Sequence, residues 1–279
     1  MPKQKPTPQE RALAEGLRVA RRFSRLAMTE VADKLVWSQS TISRLETGMR
    51  AASTEEVSAL LAVYQIVGEQ REALIELARD ADRPSWLETR DAEVPWQVKT
   101  LAQYELEATK IVESSTASLP VLLQTPSYAR AALSAADVSA AALEARMDLR
   151  QDRQKVLDRK NPPRLVAFLD EGVLRRQIGG ERIMANQLRY LLALAQRPTV
   201  ELRVFPFDVG GHPGMCGGYA LLEFPDGRPV VRLEHLRSGV FLHQPADVQP
   251  YVRATVRSTA VALDPARSVH LIESLVPPV

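Results

Sequence analysis

The segment Trp37-Ser38-Gln39-Ser40-Thr41-Ile42-Ser43-Arg44-Leu45-Glu46-Thr47-Gly48 constrains this chain more than any other. Ser38 is placed to cap a helix, because its hydroxyl can accept from a free backbone N–H two or three residues on. Gly48 is placed to end that helix in a left-handed conformation. Between the two, Ile42 and Leu45 face inward, and almost everything else is short and hydrogen-bonding. Such a helix is weak by propensity, so its composition needs another cause. Contact with the major groove of DNA supplies one. Gln39 can pair bidentately with an adenine edge, Arg44 can reach guanine or a phosphate, and Ser40, Thr41 and Ser43 suit base edges or backbone oxygens.

The flanking sequence fits a small helical domain. Leu13, Ala14, Leu17 and Ala20 make the apolar stripe of a helix over Glu10–Phe23, with Arg18, Arg21, Arg22 and Arg25 on its other side. A short helix over Met28–Leu35 buries Val31, Ala32 and Leu35. Two more are expected over Ser53–Tyr64, where Ser53 and Glu56 form a capping box, and over Glu69–Asp80. The first fifty residues hold ten Lys/Arg against five acids, although the whole chain carries only +2. Basic charge is therefore concentrated where phosphate would be met. Arg22, Arg25, Thr29 and Arg50 join the helix Ser38–Arg44 as candidate DNA contacts.

These residues resemble the signature of the Xre family of phage-repressor-like regulators. The resemblance implies a five-helix, lambda-repressor-like DNA-binding domain in which Ser38 starts the recognition helix and Glu46 fixes internal polar contacts. Three positions depart from the pattern: Ala27 cannot cap the second helix, Met28 replaces a glutamine that commonly touches phosphate, and Val36 replaces a small residue in the turn.

Beyond this domain (9–80), residues 81–98 break the helical periodicity and read as a linker, with Trp86 and Trp96 suggesting that it is docked. Residues 99–279 read as a mixed α/β domain. Helices are expected through Leu101–Ile111, over Ser127–Leu133, Ala136–Leu157, Gly180–Ala195 and Pro245–Leu263. Strands are expected at Leu165–Leu169, Val200–Phe205, Tyr219–Phe224, Val230–Glu234 and Gly239–Leu242. The words Leu122-Leu123-Gln124-Thr125-Pro126-Ser127-Tyr128-Ala129-Arg130, Asp170-Glu171-Gly172-Val173-Leu174-Arg175-Arg176 and Gly211-His212-Pro213-Gly214 resemble the C-terminal domain of actinomycete regulators, WhiJ-like developmental regulators among them. That resemblance implies transcriptional control of development or secondary metabolism, with a small acidic partner protein or a small-molecule ligand.

Other chemistry is weakly represented. The loop Gly210–Gly218 holds His212 and the only cysteine, Cys216, with no orienting third group evident in the sequence, so it reads as a connection between strands and not as a nucleophilic site. Asp170, Glu171, Arg175 and Arg176 form a charged cluster that reads as a solvated helix start; with His212 they are the candidate ligand or partner residues. His235, His243 and His270 stand alone. No metal site or cofactor is expected, and no enzyme activity. No apolar run is long enough for a membrane span or signal peptide, which points to a cytoplasmic, nucleoid-associated protein. The expected mechanism is a homodimeric repressor on an inverted repeat of double-stranded DNA, with Arg18–Arg25 on phosphates and a C-terminal domain that dimerises and receives a partner or ligand. The alternatives are a DNA-tethered enzyme or sensor, and an interaction module that has lost DNA binding.

Overall fold

The computed structural model describes residues 6–79, 85–88, 96–135, 139–225, 227–234 and 239–277. The chain divides into two compact units, residues 1–86 and 87–279.

Among the described residues of the first unit there are five helices: α1 (Pro8–Phe23), α2 (Met28–Leu35), α3 (Gln39–Glu46), α4 (Thr54–Val63) and α5 (Gly68–Arg79). The expected fifth helix reached Asp80, which lies outside the described residues. Each helix contributes a few aliphatic side chains to one core, including Leu13, Leu17, Val31, Ile42, Leu45, Val57, Leu60 and Leu74, all essentially inaccessible. The starts are capped as side-chain chemistry allows. Thr7 and Glu10 form a capping box on α1, Ser53 and Glu56 one on α4, and Ser38 accepts from the Thr41 N–H at 3.1 Å. At α2 the Ala27 side chain caps nothing, and the Glu30 carboxylate instead accepts from the Ala27 N–H at 2.7 Å.

The ends of the first four helices share one device. Arg25, Val36, Gly48 and Gln65 all take positive φ, between 56° and 68°. At each, the following N–H reaches back to a carbonyl five residues earlier, as in Leu26 to Arg21 and Trp37 to Ala32. Only Gly48 adopts this geometry without steric cost. A Cβ there would also stand 3.2 Å from Pro6, so a side chain would meet a tight contact as well as backbone strain.

The strand β1 (Ser85–Glu88) lies at the junction of the units, inside the span read as a linker, and α6 (Trp96–Glu107) begins inside that span as well. The second unit continues with β2 (Lys110–Ser115), α7 (Pro126–Ser134), α8 (Ala140–Gln154), β3 (Arg164–Asp170), α9 (Glu171–Arg175), α10 (Glu181–Ala195), β4 (Val200–Phe205), β5 (Tyr219–Glu223), β6 (Val230–Glu234), β7 (Gly239–Leu242), α11 (Pro245–Val261) and α12 (Pro265–Leu275). Its strands lie in the order β7-β6-β5-β2-β3-β4. The three strands β2, β3 and β4 are parallel, and β5, β6 and β7 extend the sheet in antiparallel fashion from β2. Val112, Val166, Phe168, Phe205, Tyr219, Leu221 and Val231 form one apolar face, against which Val248, Tyr251, Val252 and Ala254 of α11 pack.

Two expectations need correction, and one helix had none. The helix from Leu101 does not reach Ile111: it stops at Glu107, and Lys110–Ser115 is the strand that joins the parallel and antiparallel halves. The helix read from Ala136 begins at Ala140 behind the cap of Ser139, and residues 136–138 lie outside the described ones. α12 was not foreseen, although Asp264 caps it and Pro265 occupies its first turn. Among the described residues, no helix is long and apolar enough to cross a membrane.

Candidate nucleic-acid interface and the C-terminal polar cluster

Helix α3 presents Gln39, Ser40, Arg44 and Thr47 to solvent, while Thr41 and Ser43 are half-buried. Ser38 is engaged by the helix itself: its hydroxyl also meets the hydroxyls of Ser40, at 2.8 Å, and Thr41, at 2.9 Å. Arg44 lies along its own helix, Nε donating to the Ser40 carbonyl at 3.1 Å, with no acidic partner among the described residues. The exposed face therefore offers one amide, one guanidinium and several hydroxyls, a set able to read base edges and to grip phosphate.

The supporting cations sort into three groups. Arg22 and Arg25, at the end of α1, are exposed without an ionic partner among the described residues, and Thr29 is exposed in the first turn of α2. Arg50 is held by Glu56 at 2.5 Å, and Arg18 pairs with Glu15. Arg21 belongs to the interior. Its guanidinium is bidentate on Glu46, with Nε at 2.8 Å from Oε1 and Nη2 at 2.9 Å from Oε2, while Nη1 donates to the Leu26 carbonyl at 2.9 Å. The Tyr64 hydroxyl donates to the same Glu46 at 3.1 Å. Thus one buried carboxylate ties α3 to α1, to the α1–α2 turn and to the end of α4. The hydrogen bond to Glu46 holds the Arg21 guanidinium charged more firmly than usual. Burial, helped by the Glu46 charge, pushes the Tyr64 phenol up.

In the second unit, the structure brings together segments that sequence reasoning treated separately. Asp170, at the end of β3, caps α9 by accepting from the Gly172 N–H at 2.7 Å, and its other oxygen meets His212 Nε2 at 3.1 Å. His212 is buried and stacks on Phe205 with ring centroids 4.0 Å apart. An orienting group for His212 therefore does exist, 42 residues away in sequence. Glu171 is no solvated helix start. It is buried, accepting from Arg175 Nε at 2.6 Å and from the Phe207 N–H at 2.8 Å, and the Arg175 guanidinium lies over the Phe207 ring. Arg176 is exposed. The buried atoms His212 Nδ1 and Ser114 Oγ have no partner among the described residues, and both would stand 3.1 Å from a Cβ placed on Gly214. This cluster lies at the carboxyl ends of β2 and β3, where ligands of parallel sheets commonly bind.

A second polar cluster was not anticipated. Arg153 of α8 is bidentate on Glu105 of α6, at 2.7 and 2.9 Å, with both side chains almost inaccessible. Glu113, in the middle of β2, sits in register between Ala167 and Ala220. Removal from water, with repulsion from Glu105, pushes its carboxyl up to about 8. Nothing in the local sequence marks Glu113, because the sheet neighbours that enclose it lie far along the chain. His243 is held below its ordinary range by burial, and His235 lies outside the described residues. Among the described residues, no group of three or more His, Cys, Asp or Glu could hold a metal ion.

Comparison with known families gives two matches. Residues 12–74 match a family described as a helix-turn-helix domain. Residues 98–274 match one described as a domain of unknown function, DUF5753. No curated protein and no solved structure matches the chain.

Proposed function

Since the chain belongs to the DUF5753 family and carries a helix-turn-helix domain ahead of that domain, we propose that it is a sequence-specific transcriptional repressor whose C-terminal unit dimerises and receives an effector. The observation that carries the DNA-binding part is α3: a capped helix clamped from behind by Arg21, Glu46 and Tyr64, with Gln39, Ser40 and Arg44 left outward. Arg22 and Arg25 supply sequence-independent affinity for phosphate. Two copies, with recognition helices about one helical turn of DNA apart, would read an inverted repeat. The Xre and WhiJ resemblances support this reading and add the small acidic partner protein as a candidate effector.

Genome-wide occupancy of the intact protein, with identification of what co-purifies, tests it. A few sharp sites sharing an inverted repeat support the proposal, and an absence of discrete sites overturns it. One observation favours a second reading, in which the C-terminal unit is catalytic: Asp170 orients His212. Turnover of chromogenic esters that vanishes in His212→Ala would support that reading, and no turnover by the native protein would exclude it for acyl transfer.

A further inference from the structure

A groove of about 670 Å³ lies within the second unit, between the loop Pro213–Gly218, the end of β6 and α11. Its volume is that of a small-molecule site. One wall is fixed before any ligand arrives. His212 anchors the loop to Asp170 and to the Phe205 ring, and Gly218 passes so near β2 that a Cβ would stand 2.8 Å from the Ser114 carbonyl oxygen. The groove is lined by Tyr219 and Tyr251, whose rings meet edge to face at 5.2 Å, and the Tyr219 hydroxyl is engaged by Thr255 at 3.0 Å. These rings offer apolar surface more than hydrogen bonds.

The charge of the lining is specific. Arg253 and Arg257 stand four residues apart on α11, hence on one face of the helix, and both line the groove. Neither makes an ion pair or hydrogen bond with another side chain among the described residues. Glu234 is the one acid among the described lining residues, so together these residues carry a net single positive charge. That balance suits a monoanion better than a dianion.

We propose that this groove binds a small aromatic monoanion, a ring system bearing one carboxylate or sulfonate, with Arg253 and Arg257 on the anionic group and the tyrosines on the ring. This deepens, and rests on, the reading of the second unit as effector-receiving. The test uses the full chain with the aromatic sulfonate 8-anilinonaphthalene-1-sulfonate and its uncharged relative N-phenyl-1-naphthylamine, followed by fluorescence. Saturable binding of the sulfonate is expected at one site per chain. The double variant Arg253→Gln/Arg257→Gln, altered only at exposed positions, should weaken it about tenfold while changing the affinity of the neutral probe less than about twofold. Cys216 is exposed and lines the groove, so the sulfonate should also slow its alkylation by iodoacetamide. Equal sulfonate affinity in the native and variant proteins, or alkylation unaffected by saturating sulfonate, overturns the proposal. Specific DNA affinity measured on the same preparations separates the two readings. Intact DNA binding with no groove effect overturns the groove alone, whereas the expected groove behaviour without specific DNA binding overturns the regulator.

Discussion

Replacing Glu46 by alanine should strongly destabilise the N-terminal unit without touching the C-terminal one. The Glu46 side chain is 1% exposed and that of Arg21 12%, so removing the carboxylate strands a guanidinium in the interior and takes away the acceptor of the Tyr64 hydroxyl. Breaking a buried ion pair from one side costs about 3–5 kcal/mol. A small domain has only about 5–15 kcal/mol in total, so a substantial share of its margin would go. Hydrogen exchange read by mass spectrometry on the full chain can see this locally. Peptides within residues 6–79 should lose protection by at least about a hundredfold, and peptides within 139–225 should not change. The double variant Arg21→Ala/Glu46→Ala should recover part of the loss, because it leaves no unpaired charge. A change below about tenfold, or strictly additive single and double variants, would refute the idea that this pair holds α3 in place.

Three further outcomes follow from the same geometry. Val36 is 92% exposed at a φ of 57°, so Val36→Gly removes left-handed strain without losing packing and should raise the stability of the first unit by about 1 kcal/mol in urea titration; a loss would contradict the strain. Arg44→Ala should cost roughly 1–3 kcal/mol in DNA affinity by an amount that varies with sequence, and a uniform loss across sequences would make Arg44 a phosphate contact. Glu113 titrates near 8 when folded and at its ordinary, lower value when unfolded, so the native state holds the extra proton and stability should fall as pH rises between the two values. The slope is at most about 1.4 kcal/mol per pH unit, and chemical denaturation of Glu113→Gln should show it flattened; an unchanged slope would contradict the raised value.

The capped helix α3 and its polar outer face were legible because their signals are local. Ser38, Ile42, Leu45 and Gly48 lie within eleven residues, and capping and periodicity act over that range. Arg21 was misassigned among the phosphate contacts because it looks like Arg22 in sequence, and one residue of helix turns a side chain from the surface into the core. β2 was hidden for two reasons. Only Ala108 and Thr109 separate it from α6, and its central Glu113 interrupts the apolar pattern that marks a buried parallel strand. The meeting of Asp170 with His212, and of Glu105 with Arg153, depends on strand order and helix docking, which no window of sequence contains. The cap that starts α12 was by contrast readable: Asp264 followed by Pro265 is a start signal of the same kind as Thr7 followed by Pro8.

On this reading α3 is the element that reads sequence. Selection of bound duplexes from a random pool, carried out in parallel with the native protein and with Gln39→Ala/Arg44→Ala, addresses it most directly. An inverted-repeat motif is expected with the native chain, and with the variant a motif that is lost or altered at the positions those side chains face, while residual salt-sensitive binding persists through Arg22 and Arg25. The same motif recovered with both proteins would contradict it.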